Sequence, residues 1–247
     1  MKFGDISLKS ALVALSLAEF AVGFLPRLGI GTEVGARSAV TANSVTPAGY
    51  AFSIWGVIFL TLIAYAVVYA WRGTNAKVAR RLAVAMAANA LWSLYVQSFA
   101  IDFISVAIIT VGLTAALLAL GAAVSSHQSG LERMLARAGA GLLAGWLTVA
   151  ASANIAAAMQ YAGMSFGDLG EPVVALLLLL AFGGLAILTA GRTRSYYYAA
   201  AAIWGLAAVA VKRWDAGATM DLVIAGAVTA LAFAILGMVV AARRART

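Results

Sequence analysis

Eight apolar runs, each close to the length a helix needs to cross a ~30 Å hydrocarbon layer, dominate this chain of 247 residues. They cover approximately residues 7–31, 50–71, 79–99, 102–124, 136–161, 172–190, 196–212 and 219–241. No water is available in lipid to satisfy backbone N–H and C=O groups, so runs of this length point to helices. Composition agrees, with 64% hydrophobic and 11% charged residues, against about 45–50% and about 25% in soluble domains. The expectation is an all-α, polytopic transmembrane helix bundle of about eight spans, and a globular enzyme in water is excluded. The first run is read as a span rather than a cleaved leader, because it is long and carries Glu19. The seventh is the shortest, and its Tyr196-Tyr197-Tyr198 start reads as an interfacial aromatic anchor.

A net charge of +8 would ordinarily raise the question of nucleic acid. Placement answers it. With the N-terminus inside, cytoplasmic segments hold Lys2, Lys9, Arg72, Lys77, Arg80, Arg81, Arg133, Arg137, Arg192, Arg194, Arg243, Arg244 and Arg246, which is 13 of the 17 basic residues. The other side holds Arg27, Arg37, Lys212 and Arg213, together with acids that include Glu33, Asp168 and Glu171. Such asymmetry is the positive-inside rule for an even number of spans with both termini cytoplasmic, so no nucleic-acid partner is expected. No transit-peptide pattern is visible, which suits a bacterial cytoplasmic membrane. With no cysteine and the single His127, disulfides, thiolate sites and multi-histidine metal sites are excluded. His127 itself is expected to be a solvated loop residue.

Most connections are short, so successive helices should be antiparallel neighbours. The exception is the polar stretch 32–49, ending in Thr46-Pro47-Ala48-Gly49 on the outer side. Gly141 and Gly145 form a GxxxG in the fifth span, whose simplest use is close packing inside the bundle, with a homodimer interface as the other.

Polar groups at membrane depth are costly and face the bundle interior, which makes the few present here informative. Glu19 is the only carboxylate well inside a span. It is either a proton-coupling or ligand-binding acid, or a residue kept neutral by burial or hydrogen-bonded to a neighbouring helix. In the third span Asn89, Trp92, Ser93 and Gln97 share one helix face, and in the fifth Trp146, Ala150, Asn154, Ala157 and Tyr161 form a stripe. The second span carries Phe52, Trp55, Phe59, Leu62, Tyr65 and Tyr69 at three- and four-residue steps. These faces converge on the outer half of the bundle, beneath 32–49, as an aromatic-walled cavity with that loop as its lid.

Three of these segments resemble one family. Thr46-Pro47-Ala48-Gly49-Tyr50-Ala51-Phe52-Ser53-Ile54-Trp55-Gly56 is similar to the start of the second helix of the tryptophan-rich sensory protein, or translocator protein (TspO/MBR), family. Asn89-Ala90-Leu91-Trp92-Ser93 resembles its third-helix signature, and Gly145-Trp146-Leu147-Thr148-Val149-Ala150 followed by Asn154 resembles its fifth-helix pattern. The resemblance covers roughly residues 10–161. It implies a five-helix core, with residues 162–247 adding three further helices and a basic tail. It also implies a receptor or carrier that binds a tetrapyrrole such as protoporphyrin or haem, or a sterol-like lipid, with a sensory, regulatory or transport role.

Carried across, Trp55, Asn89, Trp92, Trp146 and Asn154 become pocket residues, with Pro47 and Tyr50 at the lid hinge. The helical faces add Phe52, Gln97 and Glu19. No cofactor is required, porphyrin or haem being the ligand. No HExxH, GxSxG or paired carboxylate is present, so no enzymatic activity is expected. The alternative is a small-solute or proton-coupled transporter using Glu19. Beyond the bilayer and the hydrophobic ligand, a second copy or a larger membrane complex is the remaining partner expectation.

Overall fold

The structure, a computed structural model, describes residues 3–126, 130–164 and 170–245. His127 and Asp168, and the terminal Lys2 and Arg246 of the charge pattern, lie outside the described residues. The described chain is helical: α1 (Phe3–Val22), α2 (Val34–Val40), α3 (Ile54–Arg72), α4 (Ala76–Ser98), α5 (Phe103–Ser125), α6 (Gly130–Tyr161), α7 (Gly170–Thr193), α8 (Tyr196–Ala216) and α9 (Thr219–Arg244). Two 3₁₀ turns, Leu25–Leu28 and Gly49–Ser53, precede α2 and α3.

Among the described residues, five segments are long and apolar enough to cross a membrane: Gly49–Arg72, Phe103–Ser125, Gly130–Tyr161, Gly170–Thr193 and Thr219–Arg244. The chain is therefore a helical membrane protein in contact with a lipid bilayer. The other long helices, α1, α4 and α8, have 20, 23 and 21 residues, or at least about 30 Å at ~1.5 Å per residue. They are more polar: α4 carries Lys77, Arg80 and Arg81 in its first turns, and α8 carries Lys212, Arg213 and Asp215 in its last.

Local chemistry sets the helix limits. Asp102 caps α5 by accepting from Ile104 N and Ser105 N, both at 3.0 Å, Asn75 caps α4 and Ser195 caps α8. The first apolar run was expected to be helical to residue 31, but α1 stops at Val22. A separate 3₁₀ turn begins at Leu25 with Pro26 as its second residue, and Gly29 and Gly31 take left-handed backbone angles. The 32–49 segment, expected as a loop, contains the two-turn helix α2.

Helix α1 packs on α3 and α4, α4 on α5, α5 on α6, and α6 back on α3, closing a ring of five. Helices α7 and α8 pack on α6 from outside that ring, and α9 packs on both of them. Thus α6 touches the ring and the outer group together, and 72% of its most apolar stretch is buried. Small residues make this possible. A Cβ on Gly145 would strike the backbone carbonyl of Tyr198, and one on Gly141 would come within 2.9 Å of Tyr197 Cβ and 3.0 Å of Tyr198 N. The GxxxG therefore faces α8 of the same chain.

Tyr198 is fully buried there, with its hydroxyl 3.0 Å from Thr148 Oγ1, while Tyr196 and Tyr197 are exposed. Only two of the three tyrosines can therefore act as an interfacial anchor, because a helix turns each successive residue by about 100°. Outward faces carry bare Leu60, Val111, Leu177 and Phe233, which would be a liability in water and are at home in lipid.

Gly145→Ala should lower stability by about 1–3 kcal/mol through overpacking, seen as a reduced Tm in detergent. Gly184→Ala in α7, where an added Cβ meets nothing within 4 Å, should be neutral or slightly stabilising.

Candidate functional site

The end of the ring away from most of the basic residues gathers the aromatic and amide side chains. Helix α3 begins at a 3₁₀ turn that delivers Phe52 and then Trp55 toward α6. Trp146 stands edge-on to both rings, at 6.0 Å from Phe52 and 5.9 Å from Trp55. Trp55 stacks on Phe59 at 5.3 Å, and Phe59 meets Phe20 of α1 edge-on at 6.5 Å. Such pairs add about 0.5–1.5 kcal/mol each beyond area burial.

Beside this aromatic seam run three polar arrangements. Trp92 Nε1 donates to Asn154 Oδ1 at 2.8 Å, and Asn154 Nδ2 donates to Ser105 Oγ at 2.7 Å, linking α4, α6 and α5. Ser105 Oγ in turn donates to the Asp102 carbonyl at 2.7 Å. Asn89 Nδ2 donates to Glu19 Oε1 at 2.7 Å, joining α4 to α1. Gln97 Nε2 donates to Val22 O and to Ser93 Oγ, both at 3.1 Å. Among the described residues, four buried polar atoms here have no hydrogen-bond partner: Glu19 Oε2, Asn89 Oδ1, Gln97 Oε1 and the indole Nε1 of Trp146. Buried polar atoms are ordinarily paired, so this concentration marks the region as chemically unfinished within the protein itself.

Two adjoining hollows result, sharing Phe52 and Val34 as a wall. The first, about 40 Å³, lies among Trp92, Trp146, Ala150, Asn154 and Pro47, and has room for a water molecule or two. The second is a cleft of about 470 Å³ between α1, α3 and α4, within the ~300–1,000 Å³ typical of small-molecule sites. Phe20, Phe24, Trp55 and Phe59 wall it, with Asn89, Ser93 and Gln97 along its polar side. The shared third-span face is thus divided, Trp92 serving the small hollow and Asn89, Ser93 and Gln97 the cleft. Glu19 is buried behind Asn89, and Tyr50 packs edge-on to Trp204 at 5.6 Å; neither lines either hollow. Tyr161, at the end of the fifth-span stripe, is exposed.

The 32–49 segment closes over both hollows. Val34 and Ser38 of α2 and Pro47 line the smaller one, and Glu33, Val34 and Gly35 line the cleft. Thr32 N donates to Gln97 O at 2.9 Å, and a Cβ on Gly31 would come within 3.0 Å of that same oxygen, so the segment lies directly on the end of α4. Its second half is buried and bolted to the outer helices. Both oxygens of Glu171, at the start of α7, accept from Ser44, from N at 2.9 Å and from Oγ at 2.7 Å. Ala48 N donates to Ala208 O, and Trp204 Nε1 to Ala51 O, each at 3.0 Å.

Sequence reasoning left out Phe20 and Phe24 as site residues, although their four-residue spacing beside Glu19 would have signalled a shared face. Ser105 was also missed, although Asp102 three positions before it is a helix-start signature. Nothing in the local sequence marks Glu171 or Trp204 as partners of the loop.

These features define an integral membrane protein with an aromatic-walled cleft beneath an ordered loop. The model of the family described as TSPO-like protein matches residues 10–241. The chain belongs to that family, as its tryptophan and asparagine motifs implied, and the match runs through α7, α8 and most of α9 as well as the ring. No curated protein and no solved structure matches the chain.

Asn154→Ala strands the buried Trp92 indole N–H and should cost about 1–3 kcal/mol, measured by thermal unfolding in detergent. Glu171→Gln replaces two acceptor oxygens by one, leaving a Ser44 donor unpaired. Amide exchange over 41–47, followed by mass spectrometry, should rise about tenfold or more, in line with a lost charge-assisted bond of about 1.5–3 kcal/mol.

Proposed function

We propose that this protein is a non-enzymatic receptor or carrier that holds a planar hydrophobic ligand, a tetrapyrrole such as protoporphyrin or haem or a sterol-like lipid, in the cleft between α1, α3 and α4. The observation that carries this reading is the pairing of four aromatic walls with the amide residues Asn89 and Gln97 along one edge of a ligand-sized cleft. An apolar body with a polar rim matches that arrangement. The smaller hollow is too tight for such a molecule, so Trp92 and Asn154 act as the cleft's structural support and Trp55 and Phe59 as its contact surface. A porphyrin would be held by stacking and amide contacts, with no histidine needed. Sensing and transport both require the ligand to pass the 32–49 segment or to leave sideways between α1 and α3.

In this reading all eight long helices cross the bilayer, with both termini in the cytoplasm of a bacterial cell, since their alternation collects most arginines at one end of the bundle. The chain has no native cysteine, which makes single-cysteine labelling clean. Cysteines placed at Lys77 and Arg192 should be protected from an impermeant maleimide applied outside, and ones at Ala36 and Ala218 should react. Labelling of all four from one side would overturn this topology.

Protoporphyrin titration followed by quenching of tryptophan fluorescence tests the site. Trp55→Ala and Phe59→Ala should each weaken binding about tenfold through lost stacking and burial, while Tyr50→Phe should leave affinity unchanged. Wild-type affinity in both cleft variants would exclude this cleft.

A second reading is favoured by the Glu19–Asn89 pair. Each partner keeps one oxygen without a hydrogen bond among the described residues, and a single proton between them would satisfy both. A proton-coupled carrier would use that site, and Glu19→Gln should then abolish ligand-driven acidification of proteoliposomes. Acidification that survives the substitution removes Glu19 from any coupling role.

A further inference from the structure

The other end of the bundle holds a larger hollow, of about 830 Å³, where α6, α9 and the α7–α8 junction meet. Five arginines line it: Arg133 and Arg137 of α6, Arg192 and Arg194 around the junction, and Arg243 of α9. Among the described residues no aspartate or glutamate lines it, and none of the five arginines forms an ion pair. The nearest acid in the α6 sequence, Glu132, accepts from Thr74 N and Oγ1, both at 3.1 Å, in the α3–α4 connection. The positive-inside rule accounts for arginines on this face, but it acts on loop charge during insertion. It does not require guanidinium groups from three separate elements to surround one cavity, and Arg133 and Arg243 both repel Arg137 there.

The side chains are partly fixed and partly uncommitted. Arg137 spends Nε and Nη2 on the last carbonyls of α5, Ala123 O at 3.1 Å and Val124 O at 2.9 Å. Arg243 donates Nε to Arg194 O at 3.0 Å and lies over the Tyr196 ring at 4.0 Å, and its terminal nitrogens have no hydrogen-bond partner among the described residues. Among the described residues the Arg133 and Arg192 side chains have no hydrogen-bond or ion-pair partner, and the buried Nε of Arg194 has none. Arg194 is also the one described non-glycine residue with positive φ, at 52°. Left-handed backbone disfavours a side chain with a Cβ, yet the tight turn between α7 and α8 carries an arginine at that position. Two further features suit an anion of an amphiphile. The N-terminus of α8 opens on the hollow with Tyr196 and Tyr197, adding partial positive charge, and Met134 and Val124 supply an apolar edge.

We infer that this hollow is a binding site for a phosphate-bearing anion, filled either by the headgroup of an acidic membrane lipid or by a free phosphate. Planar guanidinium forks pair with phosphate oxygens two at a time, and a basic pocket between membrane helices is where an anionic headgroup gains most. The site is separate from the aromatic cleft and does not depend on what that cleft binds.

The full chain, extracted from phosphatidylcholine vesicles containing phosphatidylglycerol, is to be weighed intact by native mass spectrometry. Wild type should retain phosphatidylglycerol over phosphatidylcholine, and Arg133→Gln/Arg192→Gln should bind it roughly 30-fold more weakly, from the loss of two headgroup cations. The control Lys77→Gln/Arg80→Gln, on the same face but outside the hollow, should retain it like wild type. Retention that inorganic phosphate does not displace assigns the site to the lipid. A Tm rise with inorganic phosphate in pure phosphatidylcholine, present in wild type and absent in the double variant, assigns it to free phosphate. The inference is overturned if neither probe binds, if both lipids are retained equally with no phosphate effect, or if the control pair loses binding as the arginine pair does. Arg192→Gln alone, which removes no hydrogen bond or ion pair among the described residues, keeps the comparison readable should the double variant fail to fold.

Discussion

Everything in this structure leans on one helix that can be approached from several sides. Helix α6 is at once a stave of the five-helix ring and the floor on which the outer three helices rest, and its sequence of alanines and glycines is what allows that. Lipid tails are as apolar as leucine, so helices in a membrane are drawn together by close van der Waals contact rather than by escape from water. A Cβ at Gly145 would collide with the Tyr198 backbone, and the α6–α8 distance is set by its absence. The same helix presents Trp146 and Asn154 on another face, so the position of the aromatic seam follows from the position of this shared wall.

The outer helices extend that influence to the opening of the cleft. The 32–49 segment would be an ordinary mobile connection if it were fixed only at its two ends. Instead Glu171 holds Ser44 by two charge-assisted hydrogen bonds, and Ala208 and Trp204 hold the backbone on either side of Tyr50. A parallel device operates at the basic end, where Glu132 holds the Thr74 connection in the same bidentate manner. A carboxylate near a helix start accepting both an amide and a hydroxyl is a compact way to pair the backbone of a neighbouring connection. At the outer end, α7 and α8 together hold the segment that covers the two hollows.

Much of this was legible in the residues alone. Helix positions followed from the apolar runs, with the misjudged end of α1 explained by Pro26 and the glycines after it. The aromatic and amide faces of the second, third and fifth spans were visible by three- and four-residue spacing, and Phe52, Trp55, Trp146, Trp92 and Asn154 do converge. Less legible was how they would divide. The face holding Asn89, Trp92 and Gln97 splits between two hollows because Phe52 wedges between them. Tyr50 turns to Trp204, and Glu19 is taken up by Asn89. Periodicity gives the face of a helix but not the rotation at which a neighbour meets it.

The sequence by itself therefore determined that this chain lives in lipid, that it is helical, which end of the bundle carries its arginines, and to which family it belongs. Each of these rests on local quantities, the length of an apolar run, the placement of charge, the spacing of a motif. Only the tertiary structure decided that Trp92 donates to Asn154 across 62 positions, that Ser44 is latched by Glu171 across 127, and that five arginines from three elements enclose one hollow. Those outcomes depend on how closely helices approach and at what angle, which is fixed by the fit of small residues summed over many contacts and is written in no single segment of the chain.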